Sequence, residues 1–335
     1  MASRSISPPE PEPPELASPE TLPPGPGPVT VALTVALLCA IWGSTWLVIK
    51  VGLADLPVLG SAAARFSVAA VVLAILAPAL RRREGGHAPA PALWITMGLL
   101  NFAIPYGVVY TSETVIPSGL TSVLWAVFPM MTASLAHVWL PGERLRPHQW
   151  GGLTLGLLGV GVLFSTDLRA IGPTAVAYGL LLLLSPLSSA IGQVIIKRHG
   201  ATTSATLLNR NGMMLGAVAL WLVALPTEHD EPVALTATAV GSVAYLALAG
   251  TVVTFGLYYW LLRYVGANRL SLIAYVTPAL ALWLGWAVGH EPLKGSTAAG
   301  SVLIGIGVAL ALRRRSEPER APSDGPAPAP TPARE

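Results

Sequence analysis

Residues 276–295 read VTPALALWLGWAVGHEPLKG, and residues 127–146 read VFPMMTASLAHVWLPGERLR. Each opens beside a proline, continues through an apolar run suited to lipid, and ends at a glutamate. Pro129 leads to Glu143, and Pro278 leads to Glu291. Aligned at the glutamates, Leu145 meets Leu293, Arg146 meets Lys294, Gly152 meets Gly300 and Gly159 meets Gly307. Gly161 meets Ala309, a match in small size only. The copying extends further. WLVIK ending at Lys50 is echoed by QVIIK ending at Lys197, which sets Gln193 against Trp46. NFAIPY from Asn101 is echoed by TFGLYY from Thr254, pairing Phe102 with Phe255 and Tyr106 with Tyr259. Arg65 follows Lys50 at about the spacing at which Arg210 follows Lys197. The chain writes one plan twice.

Composition names the solvent. Of 335 residues, 53% are hydrophobic and 11% charged, against roughly 25% charged in a water-soluble domain. The charges cluster between long apolar runs, as in an all-α integral membrane protein. The net charge of +3 comes from basic residues at the ends of those runs. They are topology signals, so nucleic acid is not an expected partner. The single cysteine, Cys39, lies inside an apolar run and reads as inert packing. No CxxC or Cys/His cluster points to a metal or cofactor.

Ten apolar segments each approach the roughly 20 residues needed to span a bilayer. They fall near 30–49, 57–80, 92–113, 117–140, 148–165, 174–196, 203–225, 235–262, 268–289 and 295–312. Residues 1–29 and 313–335 are Pro-rich polar tails that bury too little apolar surface to offset ordering entropy. The first tail is acidic, unlike the basic start of a secretory signal, so the first run is expected to remain as a helix. The two repeats occupy 30–166 and 172–312.

Assigning the loops to alternate sides segregates the charges. One side collects Arg81, Arg82, Arg83, Arg144, Arg146, Lys197, Arg198, Arg263, Arg269, Arg313, Arg314 and Arg315. The other collects Lys50, Arg169, Lys294 and the acidic EHDE at 228–231. The positive-inside rule then places both termini in the cytoplasm. Five spans per half is an odd number, so the second half enters the membrane from the opposite side. Inverted repeats of this kind are a recurrent transporter architecture, with the substrate site at the repeat interface near mid-membrane.

Charged and polar residues within the spans are the site candidates. Arg65 sits inside the second span, where a charge costs about 2.5–3.5 kcal/mol on insertion scales. It is either an anchor for an anionic group, such as a substrate carboxylate, or a structural arginine. Arg210, between Asn209 and Asn211, has the same two readings. Glu113 is placed to pair with Arg65, to couple transport to protons, or to lie exposed in a loop. Trp42, Ser44 and Thr45 make a semi-polar patch on the first span, and Gln193 lies in the repeat-equivalent region of the sixth. Asn101, Tyr106 and Tyr110 line one side of the third span, and Thr254, Tyr258 and Tyr259 one side of the eighth. Facing tyrosines and amides suit an amphipathic small molecule. His137 is expected to be packed at an interface, and Glu143 and Glu291 are expected to cap the helix that follows each.

The segments AIWGSTWLVIKVGL, AARF, YTSETVIPSGLTSVL, FPMMTASLAHVWLPGERL, YWLLRYVGANRLSLIAYVTPALALWLGWAVGHEPLKG and GIGVAL resemble the EamA family of the drug/metabolite transporter superfamily. The resemblance covers nearly all of 30–312. It implies ten helices, alternating access, and export of amino acids, metabolites or drug-like compounds from the inner (plasma) membrane. It leaves the substrate and the assembly open, a homodimer included. Two other classes fit less well. A receptor or scaffold would want a soluble output module or long loop, and a membrane enzyme would want acids and histidines clustered at one depth. The sequence has no Walker motif for direct ATP drive.

Overall fold

A computed structural model of the chain describes residues 26–84, 86–141, 143–200, 202–262, 270 and 272–312. Residues 1–25 and 313–335 of the expected tails, Gly142, Arg263, Arg269 and the side chains of Arg83 and Tyr259 lie outside the described residues, while Pro28 and Val29, placed in the first tail, begin α1.

Ten helical spans run through the described residues: α1 Pro28–Gly52, α2 Val58–Glu84, α3 Pro91–Glu113, α4 Ser118–Trp139, α5 Pro147–Ile171, α6 Pro173–His199 and α7 Ala205–Thr227. Helix α8 starts as Ala237–Ala247 and continues through Leu248–Val253 into Thr254–Leu262; α9 is Leu272–Ala287 and α10 Gly295–Leu312. The first eight are long and apolar enough to cross a membrane, and the last two are shorter apolar helices. Four starts carry proline at the first helical turn, where the missing N–H is not needed: Pro28, Pro91, Pro147 and Pro173. Ser204 and Thr236 cap α7 and α8 by accepting the N–H groups of Leu207 and Ala239.

Two features express the internal two-fold directly. Along α5 and α10, a Cβ on Gly159 would lie 2.8 Å from the Gly300 oxygen, and one on Gly307 would lie 2.7 Å from the Gly152 oxygen. The repeat-mates are Gly152 with Gly300 and Gly159 with Gly307, so the contacts exchange as a two-fold axis between antiparallel helices requires. The glycines allow this close approach. In the second feature, Glu84 at the end of α2 accepts the N–H groups of Ala205 and Thr206 at the start of α7, with its Oε1 at 2.6 Å from Ala205 N. Glu228, just past α7, returns the bond: its oxygens accept Leu59 and Gly60 of α2 at 2.7 and 2.8 Å. Each carboxylate sits on the positive end of a helix in the other half, so α2 and α7 are clamped at both ends.

The carboxylates of the opening repeat behave differently from expectation. Glu291 does cap a helix, but the helix is α4 of the other half, through Ser118 N and Gly119 N. The start of α10 is met instead by Asp167, which accepts the hydroxyls of Ser296 and Thr297. Glu143 ion-pairs with Lys197, while α5 begins with Gln149 accepting the Arg146 N–H. The nearest helix in sequence is not the nearest helix N-terminus in space. The prolines differ too. Helix α4 is interrupted between Trp125 and Phe128, just before Pro129, whereas Pro278 lies inside α9. His137 is packed: its Nδ1 accepts Leu145 N and its ring meets Trp150 edge-on.

Candidate functional site

Wide π-helical turns interrupt α3 at Met97–Ala103 and α8 at Leu248–Val253. The alignment of NFAIPY with TFGLYY sets Met97–Ala103 against 250–256, so the two π stretches overlap in the repeat register. A π turn inserts a residue into the helical ladder and often marks a functional site. In α8 it directs Thr251 across the repeat interface, with the Thr251 hydroxyl donating to the Leu246 oxygen at 2.8 Å.

Arg65 of α2 points to that turn. It is 1% exposed, among the most buried large side chains among the described residues. Its Nε and Nη2 donate to Thr251 Oγ1 at 3.3 and 3.2 Å, and Nη1 reaches the Tyr110 hydroxyl at 3.5 Å. The guanidinium lies 4.8 Å from the ring centre of Tyr106 and 5.3 Å from that of Phe66. Phe66 in turn packs on Phe102 and Tyr106. The cation is thus held by hydroxyls and aromatic faces, with no carboxylate oxygen of the described residues bonded to it.

The α1 patch joins the same region from the side. Ser44 shares a 2.7 Å hydrogen bond with the Tyr245 hydroxyl of α8. Thr45 turns its hydroxyl back to the Ile41 oxygen, and a Cβ on Gly250 would lie 3.4 Å from it and 3.7 Å from Arg65 Nη2. Trp42 stacks obliquely on Tyr258, with centroids 5.7 Å apart, and meets Phe255 edge-on. Trp46 packs against Trp125, whose indole N–H donates to Ser185 of α6. Tyr245 and Thr251 were not singled out by sequence reasoning. Isolated hydroxyl residues in apolar helices are common, and only the π turn brings Thr251 to Arg65.

The remaining candidates separate. Glu113 is fully buried, one turn from Tyr110, but does not pair with Arg65 and is no loop carboxylate: neither of its side-chain oxygens has a hydrogen-bond partner among the described residues. Lys50 is not a free loop charge; it donates to the main-chain oxygens of Glu113 and Ile116. Arg210 parts company with its repeat-mate: it is half-buried and donates to the neighbouring Asn211 side chain at 3.0 and 2.8 Å. Asn101 lies in the α3 π turn with its side-chain nitrogen unbonded, pressed toward Gly192 of α6. Gln193, beside that glycine, is exposed on the surface of α6. Thr254 is buried and bonds back to the Thr251 oxygen.

The sequence profile of the EamA-like transporter family matches residues 29–165 and 177–313, one copy per half. The chain belongs to the EamA-like transporter family. Its place in the drug/metabolite transporter superfamily and its role as a membrane transporter, not an enzyme, follow. Among relatives, the uncharacterized transporter YoaV of Bacillus subtilis is 29% identical over 276 residues, covering 82% of this chain and 94% of YoaV. The uncharacterized inner membrane transporter YedA of Escherichia coli K12 is 31% identical over 269 residues, covering 77% of this chain and 82% of YedA. A solved crystal structure at 20% identity superposes with a TM-score of 0.60, covering 85% of this EamA chain and 98% of its own. That likeness speaks for the fold.

Proposed function

We propose that this EamA protein is a secondary active exporter that moves a small carboxylate-bearing or zwitterionic metabolite across the inner membrane by alternating access. Both termini are cytoplasmic. The observation that carries the reading is Arg65: a buried cation at the repeat interface, held by Thr251 and Tyr110, with aromatic faces beside it. A planar guanidinium with no carboxylate bonded to it among the described residues suits a bidentate ligand carboxylate. The rings of Tyr106 and Phe66 beside it, with Trp42 and Tyr258 in contact further along α1 and α8, suit the apolar part of such a molecule. The inverted halves supply two inversely related arrangements of one fold.

Proton coupling is assigned to Glu113. Its carboxyl is buried within the protein without a hydrogen-bond partner, and a buried ionised carboxylate without a partner is costly. The charged groups around it are Lys50, Arg65 and Glu291. YedA, described as an inner membrane transporter, supports the assigned membrane.

Counterflow in proteoliposomes tests the function. Vesicles preloaded with each compound of a metabolite panel are offered the labelled compound outside, with and without a pH gradient. Accumulation of a carboxylate-bearing compound is expected. Arg65→Ala should abolish it while leaving monodisperse protein, and loss of folded protein instead would assign Arg65 to structure.

A further inference from the structure

The two ends of the bundle hold one carboxylate–lysine device, paired at one end and parted at the other among the described residues; 266 and 267, which match Ser118 and Gly119, lie outside them. Glu143 and Glu291 are repeat-mates, and so are Lys50 and Lys197. At the cytoplasmic end of the orientation proposed above, Glu143 is ion-paired with Lys197. At the outer end the corresponding pair is parted. Glu291 accepts the N–H groups of Ser118 and Gly119 at 2.6 and 3.0 Å. Lys50 donates to main-chain oxygens of Glu113 and Ile116, in the turn that leads directly into α4. Exchanging the halves about the two-fold turns Glu143–Lys197 into Glu291–Lys50.

We propose that Glu291 is a two-position latch on the outer gate: seated on the start of α4 it shuts the outer end, and transferred to Lys50 it holds that end open. The proposal rests on the alternating-access reading and names the groups that would carry it. The transfer is short, because Lys50 already lies on the α3–α4 turn, two residues before Ser118. Both settings are charge-assisted, one to helix N–H groups and one to an ammonium. Settings of similar kind are what a bistable element requires.

The surroundings of the latch fit the shut setting. A Cβ on Gly119 would lie 3.0 Å from Leu282 Cα, so α4 and α9 are in close contact there. A Cβ on Gly285 would lie 2.4 Å from Glu291 Oε2, so only glycine leaves the carboxylate room to reach α4. The turn that aims Glu291 is strained. His290 has φ 52°, a left-handed conformation uncommon outside glycine. Glu291 N reaches back to the Gly285 oxygen at 2.9 Å. The cavity between Pro117, Leu120, Leu282, Trp286 and Glu291 measures about 30 Å³, room for a water and not for a metabolite.

The test uses a reporter cysteine, Leu282→Cys, in a Cys39→Ser background, in right-side-out membrane vesicles. A membrane-impermeant maleimide is added outside and the labelling rate is measured. Gly285→Ala displaces the carboxylate from α4 and leaves Lys50 in place, so labelling should rise by at least about tenfold. Lys50→Gln keeps an N–H donor for the Glu113 and Ile116 oxygens and removes the charge that would hold Glu291 in the open setting, so labelling should fall below the parent rate. It should also cancel the gain from Gly285→Ala, and Lys50→Arg should restore parent behaviour. Size-exclusion chromatography checks folding. Should Gly285→Ala not fold, Glu291→Asp, too short to reach both amides, replaces it with the same expected direction. Folded variants that label at the parent rate, or that both move the rate one way, overturn the latch. Labelling needs no substrate, so unchanged labelling alongside measurable flux sinks the latch and leaves the transport reading standing.

Discussion

At the scale of single residues, Arg65 and Arg210 show how the same letter in matching places acquires different surroundings. Arg65 is buried on Thr251 and Tyr110, and Arg210 bonds the next residue along its helix. If Arg65 anchors a carboxylate, Arg65→Lys keeps the charge and loses the fork. Loss of charge-assisted hydrogen bonds costs about 1.5–3 kcal/mol, or roughly 10- to 150-fold in apparent affinity. The concentration dependence of counterflow in vesicles measures that loss, and Arg210→Lys should leave it within about twofold of the parent. Glu113→Gln keeps the shape of a neutral carboxyl and removes its proton chemistry. Exchange without a pH gradient should persist, and concentrative uptake driven by the gradient should disappear. An unchanged gradient response would remove Glu113 from the coupling.

Much of this site was readable in the sequence, because a charge inside an apolar run is conspicuous. Arg65 and Glu113 stood out for that reason, and Tyr106 and Tyr110 followed from their spacing on α3. What bonds to them was not readable. Thr251 and Tyr245 come from the other half, some 180 to 200 residues later in the chain, and no local pattern encodes that pairing.

Among elements, helix ends carry the logic of the fold. Glu84 and Glu228 clamp α2 to α7 at both ends. Each removes two exposed N–H groups and favours a helix dipole, so Glu228→Ala should destabilise the folded protein by about 1–2 kcal/mol. Thermal unfolding in detergent measures this as a lower midpoint, and Thr227→Ala serves as a neighbouring control. Sequence reasoning recognised Glu143 and Glu291 as end markers but gave each the following helix. A carboxylate's partner is the nearest N-terminus in space, and tertiary packing decides which one that is.

The α5–α10 seam gives a sharper contrast. Gly159→Ala would set a methyl 2.8 Å from the Gly300 oxygen and 2.9 Å from Ile304 N. Backbone atoms cannot swing aside, so about 1–3 kcal/mol of stability should be lost. Gly161→Ala, two residues on, meets nothing within 4 Å and should be neutral or slightly stabilising. Equal thermal midpoints for the two variants would count against the close-packed seam. The repeat alignment is consistent with this difference, since Gly161 aligns with Ala309 in the other half.

For the whole molecule, the reciprocal contacts Gly159–Gly300 and Gly307–Gly152, with the crossed clamps of Glu84 and Glu228, relate the halves by an internal two-fold. The architecture was legible because duplication survives in spacing even where residues change. The departures from that symmetry were not legible, since two similar sequences give no reason to expect the lysine pair made at Glu143 and parted at Glu291. Those departures are what a protein with inward- and outward-facing states would display in any one of them.

Movement of a solute decides the function of this chain. Counterflow in proteoliposomes, run for parent and Arg65→Ala side by side across a panel of amino acids, organic acids and uncharged metabolites, tests it most directly. A carboxylate-bearing compound is expected to accumulate as label in the parent vesicles and not in those with Arg65→Ala. Absence of flux for every compound in folded parent protein, or undiminished flux in Arg65→Ala, would contradict the proposed function.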